Sequence, residues 1–291
     1  MYTIVTDTSA NLDRALVRQR DIRVIPFSYY IDSAEHTCLD TEGFDGPAFY
    51  SAMRAGMRVT TSQVPPQRYM DAMTPILSEG RDILFVGMSS GISGSFQSAC
   101  LAADMLRERF PERKLRLIDT LGASLGEGLL AVRAADFRDE GVPLDTAADI
   151  LEKLRLTMCQ VFTVDDLKYL RRSGRLSNFA ALMGTALQVK PLLKGNREGK
   201  IVSFARVRGR RRSIQAMAEQ YEAFVYEPEA QTVGIAHADC PEDAAFLTEL
   251  LRAKKPPRDI MTVCYEPVTG SHVGPGTLAL FFFGDVSFRH K

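Results

Sequence analysis

Short apolar runs alternate with stretches of helical periodicity along the first half of the chain. The runs at 2–5 and 83–86 are mostly apolar and the segment 23–31 alternates, so each is predicted to be a strand. After Gly94 apolar side chains recur at helical spacing, and another long helix is predicted to end near Glu140. Strands that alternate with helices indicate βαβ units and a mainly parallel sheet.

The pattern changes after a helix that is predicted to end near Leu156. Two apolar segments on either side of Asn196–Gly199 predict a hairpin, because the stretch between them has the composition of a turn. The further predicted elements are strands at 159–163, 189–193, 200–204, 232–237 and 259–264 and helices at 209–224 and 242–253. We therefore expect a two-domain α/β fold, with closely packed domains at 1–156 and 157–291, because no low-complexity linker separates them.

Four loops rich in serine and threonine stand after predicted strands or just before predicted helices, at 6–9, 60–62, 89–95 and 119–124. The loop at 89–95 consists almost wholly of small residues and opens a helix near Gly94. Backbone N–H groups at a helix start carry partial positive charge, so this loop predicts an anion site. Because ligands bind at the carboxyl ends of parallel strands, the four loops are expected to share one pocket.

Two other interpretations of the loop at 89–95 stay open. Small residues and hydroxyls between a strand and a helix often serve only the turn and the helix cap. The second alternative is a serine nucleophile, since Gly91–Ser95 nearly matches the G-x-S-x-G elbow. That match fails at its last position, because Ser95 stands where the second glycine belongs.

Composition narrows the class of protein. Hydrophobic residues make up 45% and charged residues 25%, and 36 basic residues balance 36 acidic ones, so charge gives no support for a nucleic-acid partner. Five scattered cysteines indicate free thiols in a reducing cytoplasm. We expect no stable membrane insertion, because no apolar run is long enough, and no structural metal, because the four histidines form no ligand-spaced cluster.

The last informative segment is Thr269–Gly276, which we interpret as a glycine-rich loop. Its three glycines give the backbone freedom to approach a ligand closely, and His272 adds a donor whose charge changes near neutral pH. A single loop histidine is also typical of an ordinary surface residue. Five arginines between 206 and 212 are interpreted as a solvated face, because no aromatic residues are interleaved with them.

Seven segments, taken in order, carry a resemblance to a known family: Thr6–Ser9, Thr60–Gln63, Ser89–Ser95, Asp119–Thr120, Leu167–Arg175, Lys190–Leu193 and His272–Gly276. From Met1 to about Phe283 the chain resembles the DegV family, the bacterial fatty-acid-binding proteins that serve as the carrier (FakB) subunit of fatty acid kinase. Two departures stand out. Ser173 precedes Gly174 where the family usually has a second glycine, and Val273 follows His272 where the family usually has threonine.

The resemblance implies a two-domain α/β protein that encloses one long-chain fatty acid, with the tail in an apolar tunnel and the carboxylate near the interdomain cleft. The residues that match the family's carboxylate site are Thr61, Ser62, Ser93, Gly94 and His272. The family's Gly-Arg segment is associated with kinase docking, which implies that role for Arg175. The carrier presents the acid to a separate kinase subunit, which forms an acyl phosphate for phospholipid synthesis, and needs no catalytic group or cofactor of its own.

The residue chemistry fits such a carrier but leaves two rivals. The expected site offers hydroxyls, backbone amides and one histidine rather than an arginine that would bind the carboxylate bidentately. The carboxylate oxygens are therefore held less strongly. The rivals are a hydrolase of acyl esters that uses Ser93 and His272, and a carrier of a phosphorylated metabolite that uses the same anion loops. Acyl length and unsaturation depend on packing that a sequence does not display.

Overall fold

A computed structural model describes residues 2–178 and 188–290, which contain both strands and helices. The strands are β1 (Tyr2–Asp7), β2 (Ile22–Ile25), β3 (Ser28–Ile31), β4 (Ala34–Thr37), β5 (Val59–Ser62), β6 (Asp82–Gly87), β7 (Leu115–Asp119), β8 (Met158–Thr163), β9 (Val189–Gly195), β10 (Ile201–Arg208), β11 (Thr232–His237), β12 (Asp259–Cys264) and β13 (Leu278–Phe283). The helices are α1 (Arg14–Gln19), α2 (Gly46–Arg54), α3 (Pro66–Ser78), α4 (Ser95–Arg109), α5 (Leu125–Asp139), α6 (Leu144–Leu154), α7 (Lys168–Ser173), α8 (Arg210–Phe224), α9 (Pro241–Lys254) and α10 (Pro267–Val273). The predicted α/β class is confirmed.

The first large sheet is parallel throughout, in the order β2-β1-β6-β7. Its centre is β1, where Ile4 lies opposite Ile22 on one side and Leu84 on the other. All six residues of β1 are buried, as in parallel sheets that are covered on both faces. The mainly parallel sheet predicted for the first half of the chain is confirmed.

The second large sheet is mixed and has the order β10-β9-β8-β13-β11-β12. Strand β11 pairs in parallel with β12 and antiparallel with β13, whose apolar run sits near the middle of the sheet. The predicted hairpin is confirmed as β9 and β10, with a register shift between Ser203 and Ala205.

Helix α5 lies between the two large sheets. It packs against β1 and β6 on one side and against β8, β11 and β13 on the other. Glycines allow this close approach, since a Cβ on Gly128 would stand 2.3 Å from the Ala10 carbonyl oxygen and one on Gly126 would stand 2.6 Å from Gln160 Oε1. One apolar core therefore joins residues of both sheets. The predicted boundary near 156 falls between α6 and β8, and the division into two domains stays a prediction.

The prediction of a single strand from Arg23 to Ile31 is wrong. Strand β2 belongs to the parallel sheet, whereas β3 belongs to a small antiparallel sheet in the order β4-β3-β5. The break falls at Pro26, which has no N–H to donate to a ladder, and the next N–H, that of Phe27, donates to Thr8 Oγ1 at 3.0 Å. Residues 60–62, predicted as a loop, are also strand, because β5 pairs with β3 and places Thr61 opposite Tyr29.

The interpretation of Thr269–Gly276 as a loop is wrong for its first half, which lies in α10. Glu266 caps this helix, since its carboxylate accepts the N–H groups of Val268 at 2.5 Å and Thr269 at 2.6 Å. Gly270 allows the helix to pack on Tyr50, whose Oη would stand 1.9 Å from an added Cβ. Gly274 ends the helix with φ of 86°. These two glycines serve packing and helix termination.

Candidate ligand-binding site

A cavity of about 1030 Å³, including its open mouth, lies between the two large sheets. Every residue predicted for the site lines it: Thr61, Ser62, Ser93, Gly94, Arg175 and His272. Ser62, Gly94 and Arg175 are exposed, so the polar end opens to solvent. Apolar side chains form much of the remaining wall, among them Phe27, Met88, Phe162, Leu170, Val268 and Phe281. The cavity thus combines a polar mouth with a largely apolar interior, which is the pattern of a small-molecule site.

At the mouth the side chains of Thr61 and His272 are joined by a hydrogen bond. Thr61 Oγ1 lies 2.8 Å from His272 Nε2, which links β5 to the last turn of α10. Burial lowers the pKa of His272 to about 4, and the positive charges of Arg175 and Arg172 contribute to the shift. The ring is therefore neutral at physiological pH and offers one N–H donor and one acceptor nitrogen.

Ser93 and Gly94 stand at the start of α4, beside the same mouth. The Ser93 hydroxyl donates to Ser95 Oγ at 3.0 Å and accepts the Ser95 N–H at 3.2 Å. Gly94 caps the helix without a side-chain hydrogen bond. To hold an anion, the Ser93 hydrogen turns from Ser95 to the ligand, which a hydroxyl does by rotation about its C–O bond. The positive end of a 15-residue helix favours that anion.

Arg175 follows Gly174, which ends α7 in the left-handed conformation with φ of 68°. The guanidinium donates to the Ser173 carbonyl and, at 3.4 Å, to the Ile92 carbonyl. Arg175 therefore joins the end of α7 to the loop at 89–95, as a cation at a helix C-terminus does. It also lines a shallower groove outside the mouth with Lys200, Ser90 and Ser177.

The loop at 119–124 forms one wall of the cavity in a backbone conformation that the sequence did not predict. Leu121 and Ser124 both have φ of 54°, which lies in the left-handed region that residues other than glycine rarely adopt. The Leu121 carbonyl accepts hydrogen bonds from Gln160 at 3.2 Å and from buried Arg289 at 2.7 Å. The sequence offered one signal for this contact, which is the polar Gln160 in the middle of the buried strand β8.

The turn of the β9–β10 hairpin closes the cavity next to this wall. Ser89 Oγ donates to the Gly199 carbonyl at 2.9 Å. A Cβ on Gly91 would stand 2.4 Å from the Glu198 carbonyl oxygen, so Gly91 is needed for the hairpin to dock. Part of the glycine content of the loop at 89–95 thus serves packing between the sheets.

The expectation that all four hydroxyl-rich loops share the pocket is wrong for the loop at 6–9, which is buried and does not line the cavity. Thr6 donates to the Val86 carbonyl at 2.8 Å and Thr8 to the Ile25 carbonyl at 3.2 Å. Ser9 Oγ bonds both Asp7, at 2.6 Å, and Glu127 of α5. All three hydroxyls are therefore committed to internal partners.

The two acids around Ser9 share this one hydroxyl hydrogen. Only one carboxylate accepts it, so the other acid must itself donate a proton to the serine oxygen. Burial raises the pKa of Asp7 and raises that of Glu127 well above its usual range, with the charge of Asp7 adding to the effect at Glu127. We assign the proton to Glu127. Nothing in the sequence pattern marked this pair, because Asp7 and Glu127 lie far apart in the chain.

The geometry does not favour the alternative of a hydrolase that uses Ser93 and His272. Among the described residues, His272 bonds Thr61 and not Ser93, and no carboxylate bonds its ring to orient it. In the same part of the chain, no cluster of histidine, cysteine, aspartate or glutamate is arranged to hold a metal ion. Nor do residues 2–178 and 188–290 contain a helix long and apolar enough to cross a membrane.

Comparisons with known proteins agree on one family. Residues 1–285 match the family model described as "Uncharacterised protein, DegV family". A DegV domain-containing protein from Clostridium perfringens is 37% identical over 284 residues, which span 98% of each chain. The solved structure described as "Fatty Acid Binding of a DegV family Protein from Thermus thermophilus" is similar with a TM-score of 0.86 and 29% identity, over 98% of this chain and 99% of that one. "Crystal Structure of DegV, a fatty acid binding protein from Bacillus subtilis" gives a TM-score of 0.81 and 28% identity over the same shares. The chain belongs to the DegV family.

Proposed function

We propose that this protein binds one long-chain fatty acid in the cavity and presents its carboxylate to the catalytic subunit of a fatty acid kinase. The observation that carries the proposal is the cavity itself, whose apolar interior ends in a mouth of hydroxyls, helix N–H groups and a neutral histidine. The fatty-acid-binding DegV structures from Thermus thermophilus and Bacillus subtilis support the ligand class. A phosphorylated metabolite would leave the apolar wall without a partner.

The tail supplies most of the affinity in this account. Each buried methylene contributes roughly 0.8 kcal/mol, so a chain of about 16 carbons contributes on the order of 10 kcal/mol before ordering costs. The phenylalanines at 27, 162 and 281 provide such a surface, because they line the cavity from three separate strands or loops. The carboxylate, held by Thr61, Ser62, Ser93, Gly94 and His272, then fixes orientation more than affinity.

Neutral anchoring suits transfer to a partner enzyme. Hydroxyl and imidazole donors leave carboxylate oxygens available for phosphorylation. A bidentate arginine would instead hydrogen-bond both carboxylate oxygens. Arg175 and Lys200 flank the groove outside the mouth and form the proposed docking surface for the kinase. The protein is then a cytoplasmic carrier with no catalytic group of its own, and its bound acid feeds phospholipid synthesis.

The test is extraction of purified, never-delipidated protein with organic solvent, followed by mass spectrometry and then by an assay with the cognate kinase. We expect close to one long-chain acid per protein molecule, and conversion of that acid to acyl phosphate when kinase and ATP are added. Extracts without a stoichiometric acyl chain would refute the ligand. A bound acid that the kinase leaves unchanged would refute the carrier role alone.

A further inference from the structure

Ser95, the first residue of α4, connects two parts of the carboxylate site without lining the cavity itself. Its side chain is fully buried, and its Oγ lies 3.0 Å from the hydroxyl oxygen of Ser93. The same Oγ accepts the N–H of Val64 at 3.1 Å. Val64 stands three residues after Thr61 in the chain. One buried hydroxyl therefore contacts both the segment that carries Thr61 and the loop that carries Ser93.

The segment from Thr61 to Val64 packs closely on the start of α4. Gln63 lies against the backbone of Gly94, since a Cβ on Gly94 would stand 2.1 Å from Gln63 Oε1. Val64 is fully buried, so its N–H requires an acceptor within the protein, and Ser95 supplies it. The separation of Thr61 from the loop at 89–95 therefore depends on a contact in which the Ser95 hydroxyl takes part.

The hydroxyl of Tyr69 completes the surroundings of Ser95. Burial raises the pKa of Tyr69, and a hydrogen bond with Ser95 opposes that rise. Without ligand, Ser95 Oγ accepts the Val64 N–H and the Ser93 hydroxyl hydrogen, which occupies both of its lone pairs. Its own hydrogen is then directed to Tyr69. All the donors and acceptors around Ser95 are thus satisfied before any fatty acid binds.

Binding of a carboxylate at Ser93 rearranges these hydrogens. We infer that Ser95 is a positioning residue for the fatty acid: its hydroxyl donates to Ser93 Oγ while Ser93 donates to the carboxylate. Tyr69 then donates to the lone pair of Ser95 that Ser93 has left, so each hydroxyl donates once. Hydrogen bonds in such a chain strengthen one another, so the carboxylate is held in one orientation. The inference rests on the proposed function, since it assumes a carboxylate at Ser93.

The experiment measures the affinity of delipidated variants for palmitate and the kcat of the cognate kinase with each palmitate-loaded variant. We expect Ser95→Ala to lower kcat about tenfold, because the carboxylate is oriented less well. Its affinity should change less than about threefold, because Ser95 does not touch the ligand. The double variant Ser93→Ala/Ser95→Ala should be only as slow as Ser93→Ala, because Ser95 acts through Ser93. Ser95→Thr, which keeps the hydroxyl, should retain most of the rate.

Ser213→Ala is the matched control, because Ser213 is also fully buried in the first turn of a helix, α8, but lies outside the cavity lining. It should leave kcat unchanged, and thermal unfolding shows whether each variant folds. Tyr69→Phe tests the same chain of hydrogen bonds from its other end. This variant keeps the buried ring and should lower kcat about threefold.

Three results would overturn the inference while the proposed function stands: a wild-type kcat in folded Ser95→Ala, losses that multiply in the double variant, or an equal loss in Ser95→Thr, which would assign the effect to packing. If Ser95→Ala does not fold, a wild-type kcat in Tyr69→Phe overturns it instead. A wild-type protein that binds no palmitate, or whose bound palmitate the kinase leaves unchanged, overturns the proposed function and this inference with it.

Discussion

The segments 6–9 and 89–95 lie at the carboxyl ends of the two central strands of the parallel sheet and are both rich in hydroxyls, yet their side chains have opposite surroundings. In the first loop Thr6, Thr8 and Ser9 are buried and bonded to backbone carbonyls or acids. In the second, Ser93 is partly buried and faces the cavity. The first loop therefore serves stability and the second is available to a ligand.

The difference comes from what each loop meets. Helix α5 presses on the first loop, since Gly128 contacts the Ala10 carbonyl, and it brings Glu127 to Ser9. The second loop meets the tip of the β9–β10 hairpin at Ser89 and Gly91 and bonds Asp119 through Ser90, and beyond these contacts the cavity opens. Similar local sequences thus acquire different roles from distant partners. The following variants test that contrast, in order of decreasing effect.

Ser9→Ala should have the largest effect on stability. Removing the hydroxyl leaves Asp7 and Glu127 facing each other without their bridge, so the free energy of unfolding should fall by about 3 kcal/mol. Urea titration measures the loss. Ser90→Ala is the control from the other loop, because Ser90 bonds Asp119 at 2.5 Å in an exposed position, and its loss should stay below about 1 kcal/mol. Equal losses of unfolding free energy in the two variants would contradict the different roles assigned to the two loops.

Ser93→Ala should act on function instead. One lost neutral hydrogen bond weakens fatty-acid binding by only about 0.5–1.5 kcal/mol, because the tail dominates affinity. A misplaced carboxylate should slow acyl-phosphate formation up to about a hundredfold. Kinase assays at saturating fatty acid measure the rate of acyl-phosphate formation, and calorimetry measures the affinity for fatty acid, so the two effects are separated. Full turnover in this variant would show that Ser93 does not position the carboxylate.

His272→Gln should change the pH dependence of stability in ligand-free protein. The folded pKa of His272, about 4, lies below the usual value of 6.5, so the unfolded chain binds the extra proton first. This residue therefore removes up to about 2 kcal/mol of stability as pH falls from 7 to 5. Glu266, whose pKa burial raises to about 7, gives a slope of opposite sign, so the wild type and variant must be compared directly. If the free energy of unfolding changed with pH in the same way in the wild type and in His272→Gln, the imidazole would be exposed to solvent.

Arg175→Ala should have the smallest effect and the most selective one. Acyl-phosphate formation at limiting kinase should slow about tenfold, or about 1.4 kcal/mol, while the affinity for fatty acid stays unchanged. Arg18→Ala, an exposed arginine on α1, is the control and should match the wild type. Loss of acyl binding in Arg175→Ala would assign the residue to the pocket, through its bond to the Ile92 carbonyl.

Local pattern was enough to predict the elements whose period is regular. Strands β11 and β12 were predicted at their observed bounds, and α8 within one residue. The errors fall where a distant contact decides. Pro26 divides β2 from β3 because two sheets compete for neighbouring residues, and α10 forms because Glu266 caps it and Gly270 fits against Tyr50.

The site was predictable at its polar end only. Thr61, Ser93 and His272 stand in recognisable family segments, and the fold brings them to one mouth. The apolar wall was not predictable, because a buried phenylalanine has the same sequence pattern whether it faces a core or a cavity. Phe162 and Phe281 are such residues. Their role depends on the distance between two sheets, which no local pattern encodes.

The most direct test of the account is the NMR signal of bound palmitate that carries carbon-13 at its carboxyl carbon. We expect one bound signal in the wild type, and a shifted signal in Ser93→Ala and His272→Gln, because both side chains line the mouth. The signal should be unchanged in folded Ser9→Ala, because the Ser9 hydroxyl bonds Asp7 and Glu127 and does not reach the cavity. Absence of a bound signal, or a signal that stays unchanged in Ser93→Ala and His272→Gln, would contradict the proposed binding of the carboxylate at the mouth.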